Sequence, residues 1–91
     1  MEVEFDPKKA DANLKKHEIS FEEATSCLLD PIALVRDDPD ARGEVRLVLV
    51  GLSSKERLLT LCYTLRGEDT IRLISARKAT AKERNNYAQG I

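Results

Sequence analysis

Seven side chains carry most of the chemistry this sequence can offer: His17, Glu44, Arg46, Arg66, Arg72, Arg77 and Lys78. A guanidinium is permanently charged, and its planar fork of donors matches two oxygens of a phosphate or carboxylate. A converging set of arginines therefore suits recognition of an anion. His17 is the sole histidine, the residue type best suited to act as acid or base near neutrality. Placed after a first helix, it is equally suited to bond that helix's last carbonyls. Ser26 and Ser75 have no evident base beside them. With no G-x-S-x-G elbow and no phosphate-cradling glycine loop, a serine hydrolase or a nucleotide-binding enzyme is not expected. One histidine and two cysteines without a C-x-x-C pair supply no zinc ligand set, and Asp37-Asp38-Pro39-Asp40 reads as a polar loop. No metal and no cofactor is expected. Cys27 and Cys62 are expected to be buried, reduced thiols.

The elements that must position these groups can be read along the chain. Asp6-Pro7 starts a first helix over about 7–16, because Asp accepts from first-turn amides and Pro fits the first helical position. Ser20-Phe21-Glu22-Glu23 has the capping-box spacing and opens a second helix, which ends by Asp30-Pro31. Its apolar face is Phe21, Ala24, Cys27 and Leu28. His17 falls in the connection between the two helices. Residues 32–36 read as an edge strand, 37–43 as a loop, and Val45–Leu52, Arg57–Arg66 and Thr70–Ala76 as an antiparallel meander. Thr80-Ala81-Lys82-Glu83 is a second capping box, opening a helix to about Gln89 before Gly90. The predicted fold class is α+β: two N-terminal helices, an antiparallel sheet of three to four strands with room for a short N-terminal strand, and a C-terminal helix.

Alternation along a strand assigns faces. Leu59, Leu61, Tyr63 and Leu65 form one row of the second meander strand, and Leu58, Thr60, Cys62, Thr64 and Arg66 the other. The preceding strand divides into Val45, Leu47, Leu49 and Arg46, Val48, Val50. The following strand divides into Ile71, Leu73, Ser75 and Arg72, Ile74, Ala76. With the apolar rows against the helices, Arg46, Arg66 and Arg72 project from the other face, and Arg77 and Lys78 lie at the exit into the last helix. Like charges gathered this way repel by roughly 0.2–1 kcal/mol per opposed pair unless an anion or a carboxylate such as Glu44 intervenes. The alternative is an ordinary polar outer face whose arginines are paired with nearby acids.

At 91 residues, the expectation is one domain, 1–91, around one modest core. A hydrophobic fraction of 42% against 34% charged residues, with no apolar run near the length of a spanning helix, points away from a membrane. The opening Met1-Glu2-Val3-Glu4-Phe5 lacks an apolar stretch, so no secretory signal and a cytoplasmic location are expected. Net charge is −1, but it is unevenly distributed. Lys and Arg number four against eight Asp and Glu in residues 1–30, six against seven in 31–70, and five against one in 71–91. A basic working surface with an acidic face elsewhere fits that gradient.

Several stretches together resemble the BrnT toxin family of type II toxin-antitoxin pairs. They are Asp6-Pro7-Lys8-Lys9, Asn13 through Ala24 with its Lys-His-x-Ile-Ser-Phe-Glu-Glu-Ala segment, Asp30-Pro31, Gly43-Glu44-Val45-Arg46, Leu59, Tyr63-Thr64-Leu65-Arg66, and Arg72 through Ala79, with Glu83 and Tyr87. The resemblance runs from about residue 4 to 87 in uninterrupted order. It implies a small fold similar to the RelE-type ribonucleases, RNA cleavage that halts growth, neutralisation by a BrnA-like antitoxin, and contact with operator DNA only through the antitoxin complex. By position it implies Glu44, Arg66 and Arg77 as activity residues, with His17 and Arg72 as further candidates. The convergence of cationic side chains itself offers Arg46, Arg72 and Lys78 as RNA or phosphate contacts.

Metal-independent cleavage would use the ribose 2′-hydroxyl as nucleophile. Arginines would stabilise the phosphorane oxygens, Glu44 or His17 would serve as base, and Arg77 or Lys78 would assist the leaving oxygen. The alternative from another class is a non-catalytic anion- or nucleic-acid-binding interaction module, which needs the same charge but no aligned base. Only Phe5, Phe21, Tyr63 and Tyr87 are aromatic, with Tyr63 in the predicted core row, so sequence-specific base stacking is not expected.

Overall fold

The computed structural model describes residues 1–41 and 43–91. Strand β1 (Glu2–Glu4) leads into α1 (Pro7–His17), α2 (Phe21–Ser26) and one 3₁₀ turn (Cys27–Leu29). Strands β2 (Leu34–Asp37), β3 (Arg46–Leu52), β4 (Leu58–Arg66) and β5 (Thr70–Lys78) follow, and α3 (Ala81–Gln89) closes the chain. The five strands form one mixed sheet in the order β1-β5-β4-β3-β2, antiparallel except for the β1–β5 pair. The α+β reading holds, with β1 as the short extra strand and β2 at the other edge.

Local chemistry fixes the helix ends. Asp6 accepts from the Lys8 amide at 2.9 Å, with Pro7 at the first helical position. The far end of α1 is closed by Glu18 in the left-handed region (φ 60°), whose N–H donates to the Leu14 carbonyl. Thr80 and Glu83 make the full reciprocal capping box on α3, but the same spacing in α2 gives only half of one. Ser20 Oγ accepts from the Glu23 amide at 3.1 Å, while the Glu23 carboxylate accepts from Ser53 Oγ at 2.7 Å and pairs with the Arg57 guanidinium. Glu23 is 4% exposed, so its charge needs those partners, and the Arg57 bonds hold its pKa below the usual carboxylate range.

The core lies between the sheet and the α1–α2 pair. It contains Ile19, Phe21, Ala24, Cys27, Leu49, Leu59, Leu61, Tyr63, Ile71, Leu73 and Ala76. Each fully buried Leu or Phe contributes about 1.5–3 kcal/mol. Leu59, Leu61 and Tyr63 are the predicted inward row; Leu65, at the strand end, is 53% exposed. Gly51 lets the 3₁₀ turn rest directly on β3, since a Cβ there would meet the Cys27 carbonyl oxygen at 3.1 Å and Ala33 Cβ at 3.2 Å. On the other face a smaller cluster of Val50, Leu58 and Ala79, with Tyr87 against it, seats α3 over one end of the sheet. The opposite end of that face carries no helix, and it holds Arg46, Arg66 and Arg72.

Strand β1 pairs with only residues 70–72 of β5, which leaves the later half of β5 at the sheet edge. Asn13 of α1 covers it. Its amide donates to the Ala76 carbonyl at 2.9 Å and to the Ile19 carbonyl at 3.0 Å, and its oxygen accepts from the Ala76 N–H at 3.1 Å. One buried side chain thus does for Ala76 what a neighbouring strand would do.

Candidate active site

The face away from α1 and α2 is organised by cross-strand register. Glu4, Arg72, Thr64 and Arg46 lie side by side across β1, β5, β4 and β3. Strand spacing places the Arg46 and Arg72 backbones about 10 Å apart. Thr64 between them is 4% exposed and donates to the Val45 carbonyl at 2.6 Å. Arg66 lies two residues farther along β4, in register with Thr70, on the same face. The expected grouping of Arg46, Arg66 and Arg72 is thus present on one surface.

Their partners differ. Arg46 Nε donates to Glu44 Oε1 at 3.1 Å, with both side chains about two-fifths exposed. Arg72 pairs with Glu4 at 3.5 Å. Exposed pairs of this kind are worth about 0–1 kcal/mol and yield readily to a better anion. Arg66 is exposed and has no acid partner among the described residues.

Arg77 occupies a separate station. It is opposite Thr60, two register positions beyond the Cys62–Ser75 pair from the Arg72 end, and its guanidinium grips Glu83 with two bonds of 2.8 and 3.1 Å. Glu83 also accepts from Thr60 Oγ1 and the Thr80 amide. These donors, the Arg77 fork foremost, hold the pKa of the Glu83 carboxyl at about 2, and the Glu83 carboxylate in turn raises the pKa of Arg77. Arg77 lines a cleft of about 330 Å³ with Arg36, Asp38, Thr60, Cys62 and Ser75. Burial and the nearby Asp38 carboxylate push the Cys62 thiol up, so it is no thiolate nucleophile.

A family model for the ribonuclease toxin BrnT of type II toxin-antitoxin systems matches residues 5–83. The chain belongs to the BrnT family. The crystal structure of the Brucella abortus ribonuclease toxin BrnT is similar to it in fold, with a TM-score of 0.65 and 21% identity over 88% of this chain and 97% of that one. No curated protein matches the sequence.

Within this BrnT chain, two predicted site residues stand apart from the arginine row. Lys78 is opposite core Leu59 and so belongs to the face that carries α1 and α2, away from Arg77. His17 is the last residue of α1 and lines a hollow with Lys9, Asn13, Lys16, Ile74 and Ser75. Its ring makes no hydrogen bond among the described residues; Glu18, not His17, satisfies the carbonyl at that helix end. Cys27 is buried and free, and Cys62 is half-buried and free.

The predicted faces of β5 also need correction. Regular alternation predicts Ser75 on the face of Ile71 and Leu73, and Ala76 on that of Arg72. In the structure Cys62 is opposite Ser75 and Tyr63 is opposite Leu73, leaving Ile74 as an extra, unpaired residue. Beyond it the faces exchange, so Ala76 enters the core and Ser75 and Arg77 join the arginine face. In the sequence Glu83 stands out as a capping residue and as one of the residues of the family resemblance, not as a partner of Arg77. Its role as the acid holding Arg77 depends on that exchange.

Proposed function

We propose that this protein is an endoribonuclease that cleaves RNA without a metal ion, at the patch formed by Glu44, Arg46, Arg66 and Arg72. The observation that carries this reading is the placement of three arginines on one face around Thr64 at the helix-free end of the sheet, one of them without an acid partner among the described residues. A phosphodiester settles on Arg66 and Arg72, whose forks meet its non-bridging oxygens. Glu44, held at the rim by Arg46, takes the proton from the ribose 2′-hydroxyl. The 2′-oxygen bonds to phosphorus, the bond to the 5′-oxygen breaks, and that oxygen is protonated from water. The products are a 2′,3′-cyclic phosphate and a 5′-hydroxyl. The arginines act chiefly by stabilising charge that develops on the phosphorane oxygens.

In this reading Arg77 is a positioning residue, fixed by Glu83 and setting the wall of the neighbouring cleft. The toxin acts in the cytoplasm, and a BrnA-like antitoxin neutralises it by laying carboxylates over the arginine patch; operator DNA is reached through that complex. The non-catalytic reading is tested by the same experiment. Purified protein is incubated with RNA in EDTA, and the ends of the products are identified by mass spectrometry. Cyclic-phosphate products from wild type and none from Arg66→Ala support the enzyme. RNA retained without cleavage makes the patch a binding module instead.

A further inference from the structure

Helix α1 carries its charge in an order that the helix alone does not favour. Cations stabilise the last turn, where Lys15, Lys16 and His17 lie, but Lys8 and Lys9 occupy the first turn, which has no acidic residue and presents the positive end of the helix dipole. Lys9, Ala12, Asn13, Lys16 and His17 recur at the spacing that places side chains on one helix face. That face meets β5, with buried Asn13 at its centre. Lys9, Lys16 and His17 surround a hollow of about 210 Å³ that reaches the β5 bulge at Ile74 and Ser75. None of the three has an ion-pair partner among the described residues.

Ser75 links this hollow to the other side of the sheet, because it also lines the cleft containing Arg36 and Arg77. At that level β5 has no strand on its outer side, since β1 pairs only with residues 70–72. A polyanion can therefore pass round the sheet edge at Ser75, with Lys9 and Lys16 on the α1 side and, on the other, a cleft whose Arg36 and Arg77 stand beside Asp38 and Asp40.

We propose that Lys9, Lys16 and His17 form a second backbone site for single-stranded RNA, which binds two successive phosphates remote from the one that is cleaved. The strand then runs from the arginine face over Ser75 onto α1. The proposal rests on RNA being the substrate of the arginine face. Ammonium groups suit the dispersed oxygens of successive phosphates. No Phe, Tyr or Trp lines the hollow, and its two lysines suit phosphate, so the contact reads chiefly backbone.

The test is the salt dependence of binding to a fluorescent 2′-O-methyl RNA of about 16 nucleotides. This probe lacks the nucleophilic hydroxyl, so binding is read whether or not the protein cleaves RNA. Each phosphate contact contributes about 0.7 to the slope of log K against log salt for a single strand, so Lys9→Gln/Lys16→Gln should be shallower by about 1.4. Across a fourfold rise in salt the double variant should lose about 7-fold less affinity than wild type. Both lysines are exposed, and an unchanged melting curve shows that the fold is intact. Lys55→Gln/Lys82→Gln removes equal charge elsewhere on the surface and should leave the slope unchanged. An equal fall in both double variants, or no fall in Lys9→Gln/Lys16→Gln, overturns the proposal. Transfer of the Lys9/Lys16 dependence from RNA to polyglutamate also overturns it, by assigning the surface to an acidic protein segment.

Discussion

Arg72 and Arg77 are five residues apart on one strand, yet they face the same side of the sheet, because the bulge at Ile74 reverses the alternation between them. Without the bulge an odd spacing would send them to opposite faces. Their roles then diverge according to what each meets: Arg72 faces an exposed glutamate on the neighbouring strand, and Arg77 a glutamate mostly covered by its own donors.

That difference predicts separable effects of substitution. Arg77→Ala leaves the Glu83 carboxylate, 13% exposed, without its principal partner, and hydrogen bonds to charged groups are worth about 1.5–3 kcal/mol. The urea midpoint of Arg77→Ala should therefore fall by a corresponding amount. Arg66→Ala, at an exposed position, should leave the midpoint within about 0.5 kcal/mol of wild type.

Acid stability should report the same contact. The Glu83 carboxyl is lowered from 4.5 to about 2, chiefly by the Arg77 hydrogen bonds. A group with a depressed folded-state pKa contributes stability that is fully present above its unfolded value and is lost as pH falls through the folded value. Between pH 4.5 and about 2, wild type should lose stability more steeply than Glu83→Gln, as measured by denaturant midpoints at successive pH values. Parallel pH profiles for the two proteins would remove Glu83 from the account.

Asn13 makes a third test. Asn13→Ala removes both bonds to the Ala76 backbone and the bond to the Ile19 carbonyl. Each buried group left unpaired costs about 1–3 kcal/mol, less where water enters the gap. The melting temperature should drop clearly, and amide exchange should accelerate at Ala76 before it does at Leu61 in the centre of the sheet. Unchanged exchange at Ala76 would show that the edge is held by something else.

Much of this architecture was legible in the residues. Period-2 alternation identified the inward row Leu59, Leu61 and Tyr63, and capping chemistry located Asp6, Ser20 and Thr80 at helix starts. The bulge was not legible, because Leu73-Ile74-Ser75-Ala76 suits a regular strand as well as an interrupted one. A one-residue slip reverses every later side chain, which is why Ser75 and Ala76 lie on faces opposite to those that alternation predicts, and why Arg77 and not Lys78 joins the arginine face. Ser20–Glu23 and Thr80–Glu83 have identical spacing, but only Glu83 completes its box. Arg57, 34 residues from Glu23, captures the other carboxylate, and no local pattern encodes that. For the candidate site, alternation grouped Arg46, Arg66 and Arg72. It could not separate them from His17 and Lys78, whose positions depend on where α1 ends against β5 and on the bulge.

The most direct test of the central claim is the single-turnover rate of RNA cleavage in EDTA by Arg66→Ala relative to wild type, with melting temperatures measured on the same samples. Loss of one donor to developing phosphorane charge predicts a rate lower by about 10² to 10³ at an unchanged melting temperature. A folded Arg66→Ala protein that cleaves within about twofold of wild type would place the chemistry elsewhere on the molecule.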